Sequence, residues 1–183
     1  MNTGLHEQPH IEGVEAFALD GRPDDRGMLT EIFRSAWLPG RAPFVQANVS
    51  VSRAGVLRGL HFHRIQADYW VVLDGRAFVA LVDLRSGSPT DAATTELRID
   101  TGDRRLALYV PPGVAHGFYA ETPVTLLYLV DREFTGDDEF GLAWDDPGAA
   151  IRWPNARPIL SERDRGNPPL STARAHAPAF ARG

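Results

Sequence analysis

The sequence predicts an all-β protein, either a closed barrel or a double-sheet sandwich, and three observations predict it. Short runs rich in β-branched and aromatic residues recur between Gly, Pro and Asp turn signals. Long helical periodicity is scarce. Two histidines, His61 and His63, stand two residues apart in one such run, and a third, His116, lies far along the chain. Side chains at i and i+2 of a strand share a face, so His61 and His63 can converge on one interior. His116 joins them if the sheet closes on itself.

In chain order, Val14–Leu19 and Leu29–Phe33 are the first expected strands, followed by Phe44–Ser52 and the histidine-bearing run from Gly55 to His63. Tyr69–Leu73 and Ala77–Leu84 flank Asp74-Gly75-Arg76, which reads as a tight hairpin turn because glycine tolerates positive φ. Ala77 to Val82 is apolar at every position. Both faces of that strand are therefore expected to be covered, by a core and by subunit packing. Ser86-Gly87-Ser88-Pro89 and Thr101-Gly102-Asp103 are turns around Thr95–Ile99 and before Leu106–Val110. Pro111-Pro112-Gly113-Val114-Ala115-His116-Gly117 carries the third histidine, and Val124–Asp131 is the last expected strand. The tail 165–183, with Asn167-Pro168-Pro169 and an alanine-rich end, reads as loosely ordered or draped on the surface. One domain over 1–183 is expected, with its core about residues 12–164.

Composition narrows the function. The chain has 183 residues, 43% hydrophobic and 23% charged, as in ordinary soluble globular proteins. A net charge of −5 and the lack of a basic run disfavour nucleic acid and anionic membranes as partners. With no cysteine there are no disulfides, thiolate nucleophiles or cysteine-metal sites, which fits a cytoplasmic location. Met1 to Glu7 lacks the pattern of a signal peptide, and no apolar run is long enough to span a bilayer. Neither a Gly-x-Ser-x-Gly elbow nor a phosphate-cradling glycine loop is present, so a Rossmann-bound cofactor is not expected. The acidic cluster Asp137-Asp138-Glu139 reads as a solvated turn.

Gln46-Ala47-Asn48-Val49-Ser50-Val51-Ser52 followed by Gly55-Val56-Leu57-Arg58-Gly59-Leu60-His61-Phe62 resembles the signature of the dTDP-4-dehydrorhamnose 3,5-epimerase family. Further segments are similar in the same order: Asp25-Arg26-Gly27, Val82 to Thr90, Val114 to Phe118, Leu127-Tyr128-Leu129, Trp144 to Pro147, Ile151 to Pro154 and Leu160 to Asp164. The resemblance covers most of the chain. It implies a cupin-like jelly-roll β-barrel, usually a homodimer. It also implies epimerisation beside the C4 ketone of a nucleotide-linked 4-keto-6-deoxy sugar, with no cofactor. Carried over, His61 is the base, Asp164 the partner that fixes its tautomer, and Tyr128 the opposing acid. Arg58 and Arg26 would hold the diphosphate, Gln46 and Asn48 the sugar, and Phe134 would stack on the base. His116 supports the site.

Two departures fall at that site. Where the family carries a lysine that can steady an enolate oxygen, this chain has Asp68, and the connection from His61 is shorter than usual and contains His63. The result is similar to the spacing of metal-binding cupins, with Gly55, His61, His63, Asp68 and Gly75 in the first motif and Pro111, Gly113 and His116 in the second. His61, His63, Asp68 and His116 are therefore candidate ligands for a divalent transition metal: Fe, Mn, Ni, Zn or Cu. The alternative is a metal-dependent cupin oxygenase or isomerase acting on another small molecule. A third class is a silent sugar-binding cupin. A metal-bound His61 cannot also serve freely as a base, so the first two readings compete for it.

Overall fold

Alternation along short strands gives each sheet a face to bury, and the chain meets this need by packing two sheets face to face. A computed structural model describes residues 9–181. Residues 1–8 and 182–183 lie outside the described residues, including the N-terminal stretch read for a signal peptide. In chain order the strands are β1 (Glu15–Ala18), β2 (Gly21–Asp24), β3 (Gly27–Thr30), β4 (Gln46–Ser52), β5 (Leu57–Phe62) and β6 (Asp68–Asp74). They continue with β7 (Arg76–Asp83), β8 (Thr94–Asp100), β9 (Leu106–Val110), β10 (Val114–Ala120), β11 (Val124–Val130) and β12 (Phe140–Gly141). Two short helices follow, α1 (Glu162–Arg165) and α2 (Leu170–His176).

One five-stranded sheet runs β1-β9-β6-β11-β4 and the other β12-β5-β10-β7-β8, with β2 and β3 forming a separate hairpin. The pairings between these strands are antiparallel. The inter-sheet core joins Trp70 and Val72 of β6, Leu106 and Leu108 of β9, and Leu126 of β11 to Val79 and Leu81 of β7 and Phe118 of β10. This is the all-β jelly roll that the sequence implies.

Three local expectations are corrected and a fourth is narrowed. Asp74-Gly75-Arg76 does not close a hairpin, because β6 and β7 belong to different sheets. Gly75, at φ +97°, turns the chain from one layer to the other, and a Cβ there would collide with the Pro123 carbonyl oxygen. The apolar run in β7 is covered from within the chain. Ala77, Val79 and Leu81 face the inter-sheet core, while Ala80 and Val82 pack with Leu142 and Ala173. In the described part of the tail, α2 is draped on the second sheet, with Ala173 buried against it. The strand expected over Leu29–Phe33 begins earlier, as β3. Phe33 leaves the hairpin to meet the rings of Phe44 and Tyr69.

Candidate active site

Alternation along β4 turns Gln46, Asn48 and Ser50 inward, onto a cavity of about 470 Å³, and leaves Ala47, Val49 and Val51 outside. Both sheets line this cavity. The first adds Asp68 and Trp70 from β6 and Leu126, Tyr128 and Val130 from β11; the second adds Arg58 and His61 from β5 and His116 and Phe118 from β10.

The imidazoles meet because β5 and β10 are neighbours, with His61 directly opposite His116 in the ladder. The two backbones approach closely beside them. A Cβ on Gly59 would lie 2.7 Å from the Gly117 Cα, and a Cβ on Gly117 would lie 2.7 Å from the Arg58 carbonyl oxygen.

His61 Nε2–H donates to Asp164 Oδ1 at 2.6 Å. Asp164 sits in α1, where its own N–H is capped by Ser161 Oγ at 3.1 Å. Burial pushes the Asp164 carboxyl up, but the hydrogen bonds from His61 and Ser161 outweigh it and hold the group below the usual carboxylate range. With Nε2 so occupied, the lone pair of a neutral His61 is on Nδ1. Tyr128 stands in the other sheet. Burial, then the carboxylates of Asp68 and Glu139, push its phenol up, so it keeps its proton at neutral pH. An imidazole and a protonated phenol thus line one cavity from different sheets.

A second cluster is more deeply buried. His63, Asp68 and His116 place one ligand atom each within 4.8 Å of one another. Asp68 Oδ1 accepts from Gln66 Nε2 at 2.9 Å and Oδ2 accepts from Trp70 Nε1 at 3.1 Å. Burial opposes its ionisation, yet His116, His63 and Gln66 bring the carboxyl down to about 2. Burial also opposes charge on His116, and Asp68 outweighs it, raising that imidazole. The cluster therefore draws positive charge.

His61 does not join this group. Its Nε2 belongs to Asp164, so the expected four-ligand set is not assembled and three of its members remain.

At the mouth, Arg58 Nε donates to Ser52 Oγ at 2.8 Å and its Nη2 to the Val51 carbonyl oxygen at 3.4 Å. Gln46 Nε2 donates to Asn48 Oδ1 at 3.0 Å, and the Phe134 N–H donates to Gln46 Oε1 at 2.9 Å. Phe134 is 64% exposed, with its ring free to stack. Arg26 is the exception among the expected contacts. It lies at the turn of the β2–β3 hairpin, paired with Asp24, with 89% of its side chain exposed, and does not line the cavity.

Two residues of the acidic cluster do more than their sequence suggests. Glu139 lines the cavity 3.3 Å from His63 Nδ1 and pairs with Arg163 at 2.8 Å. Asp138 accepts the N–H groups of Arg64, Ile65 and Gln66 at 2.7, 3.0 and 3.1 Å. Asp138 thus clamps the loop carrying His63 and Glu139 lines the cavity, while Asp137 stays exposed in the turn as expected. The only signal in the sequence was a run of acids, which a surface turn produces equally well.

Two antiparallel sheets enclosing a histidine-lined cavity define a cupin-type jelly roll. The family model for dTDP-4-dehydrorhamnose 3,5-epimerase matches residues 8–172, and the chain belongs to that family. It is 38% identical over 157 residues to a dTDP-4-dehydrorhamnose 3,5-epimerase of Streptomyces griseus, covering 81% of this chain and 78% of that protein. Among solved structures it is similar to NovW, a 4-keto-6-deoxy sugar epimerase from the novobiocin gene cluster of Streptomyces spheroides. That match has a TM-score of 0.88 at 36% identity and covers 98% of this chain and 96% of the other. A double mutant of ChmJ, a 3'-monoepimerase from Streptomyces bikiniensis in complex with dTDP, superposes with a TM-score of 0.88 at 32% identity, covering 94% and 92%.

Proposed function

We propose that this protein epimerises a dTDP-linked 4-keto-6-deoxy sugar at C3, C5 or both. The observation that carries the proposal is the His61–Asp164 pair facing Tyr128 across one cavity. A ketone acidifies the C–H bonds beside it. His61 Nδ1 takes such a proton, and the electron pair of the C–H bond moves into an enolate. Asp164 stabilises the imidazolium that results. Tyr128 returns a proton to the opposite face of the same carbon, which inverts it. The step is redox-neutral and needs no nicotinamide or flavin.

Arg58 holds the diphosphate by paired N–H donors, Gln46 and Asn48 hold the sugar hydroxyls, and Phe134 stacks on thymine. Arg26 enters this scheme only from a second copy, because its hairpin stands away from its own cavity. A homodimer is therefore part of the proposal. Among the described residues no helix is long and apolar enough to cross a membrane. We place the reaction in the cytoplasm, in keeping with a chain that has no cysteine. Incubation with dTDP-4-keto-6-deoxyglucose in heavy water tests the reading. Deuterium is expected at C3 or C5, and none with folded protein rejects it.

A further inference from the structure

The cluster at the cavity wall leaves His63, Asp68 and His116 without use in that proton transfer. Each imidazole is anchored from behind. His63 Nδ1 lies 2.7 Å from the Asp138 carbonyl oxygen and His116 Nδ1 lies 2.9 Å from the Val114 carbonyl oxygen. A carbonyl only accepts, so each Nδ1 carries its proton and, in the neutral ring, each Nε2 presents a bare lone pair. Both Nε2 atoms face the same carboxylate, at 3.7 Å from Asp68 Oδ1 and 3.5 Å from Asp68 Oδ2. These are too long for charge-assisted hydrogen bonds, which run about 2.7–2.9 Å. They are close to the separation of about 3.3 Å between neighbouring ligands on a tetrahedral ion bound at about 2.0–2.1 Å. The carboxylate is itself steadied by Gln66 and Trp70. Backbone carbonyls on the far imidazole nitrogens and donors on the carboxylate are the supports that metal ligands have.

We propose that His63, Asp68 and His116 bind one divalent transition-metal ion, and that this ion is the electrophile for the substrate's carbonyl oxygen. Two imidazoles and one carboxylate suit Zn²⁺, Fe²⁺, Co²⁺ or Mn²⁺ and leave coordination positions open toward the cavity. The binding site stands on geometry alone, whereas the electrophilic role rests on the epimerase reading. In that role the C–H bond breaks toward His61, its electron pair forms the C=C bond, and the carbonyl π pair moves onto oxygen. The ion then neutralises the alkoxide that a bare Asp68 would repel, and the sequence reverses when carbon is reprotonated.

The test uses the full chain, stripped with chelator and titrated with Co²⁺ and Zn²⁺. One ion per chain is expected, with cobalt d–d absorption characteristic of nitrogen and oxygen ligands. His63→Gln and Asp68→Asn, each verified as folded by its melting curve, are expected to weaken binding at least tenfold. Folded wild-type protein that takes up neither ion overturns the site. So does uptake unchanged in both variants, which would place the metal on other histidines. Deuterium wash-in separates the two readings. Exchange that falls at least tenfold on stripping and returns with metal upholds the electrophilic role, while equal exchange by stripped and loaded protein overturns that role. Stoichiometric, variant-sensitive binding without any exchange upholds the site and rejects the epimerase reading.

Discussion

His61 and Tyr128 make separable contributions because they line the cavity from different sheets. Removing the base stops the first proton transfer, so His61→Ala is expected to lower deuterium wash-in by about 10²–10⁴-fold. Tyr128→Phe removes only the donor on the other face. It should retain wash-in from the His61 side while inverted product falls, which NMR of the sugar distinguishes. Acid stability draws on a carboxylate outside the cavity, Asp83, beside the depressed Asp68 and Asp164. Asp83 is fully buried and accepts from Arg85, Ser88 and Thr90. Burial raises its carboxyl, but those donors outweigh burial and hold it below the ordinary value of 3.8. A depressed carboxyl contributes stability above its unfolded value, and that stability is lost as pH falls through the folded one. Unfolding is therefore expected to set in below about pH 4. Asp83→Asn should flatten that dependence and cost about 3–5 kcal/mol near neutral pH, where Arg85 is left buried without its partner. Chemical denaturation across a pH series reads both.

At the scale of elements, the sequence disclosed the strands whose alternation or apolar content is unbroken, such as β4, β7 and β11. It left β10 hidden behind Pro111-Pro112-Gly113, because small residues at Ala115 and Gly117 interrupt the β pattern. Gly117 is what the close approach to Gly59 needs, so part of the weak strand signal and the site's geometry have one cause. The Gly75 turn was misassigned for a related reason. A positive-φ glycine marks a reversal but does not say whether the chain returns to the same sheet or crosses to the other. Helix α2 is too short to show periodicity, and its one fully buried residue, Ala173, carries little hydrophobic signal. The Asp138 clamp was illegible because its partners are backbone N–H groups 72 to 74 positions away. Asp138→Ala leaves those three donors without their acceptor and should cost about 1–2 kcal/mol. Faster amide exchange confined to residues 64–66 is the signature to look for, since a general loss of stability would quicken exchange across both sheets.

For the whole molecule, the cavity residues were legible because they sit in motifs. What assembles them into a working site is less so, since it depends on surfaces. Among the described residues β4 ends its sheet with no further strand on its outer edge, and its outward face carries Val49 at 61% and Val51 at 69% exposure. Leu29 at 71% and Met28 extend the exposed apolar surface on the β2–β3 hairpin. An edge strand with alternating exposed valines is a ready surface for a second copy, and a single chain gains nothing from leaving it bare. A stable symmetric dimer needs about 800 Å² from each partner, more than β4 alone offers, which makes the hairpin a natural second contribution. We therefore expect a dimer in sedimentation equilibrium and a monomer for the double variant Val49→Lys, Val51→Asp, with the melting temperature of the isolated fold little changed. If Arg26 reaches the diphosphate of the opposite copy, the monomeric variant and Arg26→Ala should weaken dTDP binding to a similar extent. A mixed dimer of Arg26→Ala with Arg58→Ala chains should then keep one cavity in which both arginines are missing and one in which both are present. Half the sites would then bind dTDP with wild-type affinity, whereas an Arg26 acting within its own chain would leave every site of the mixed dimer weakened.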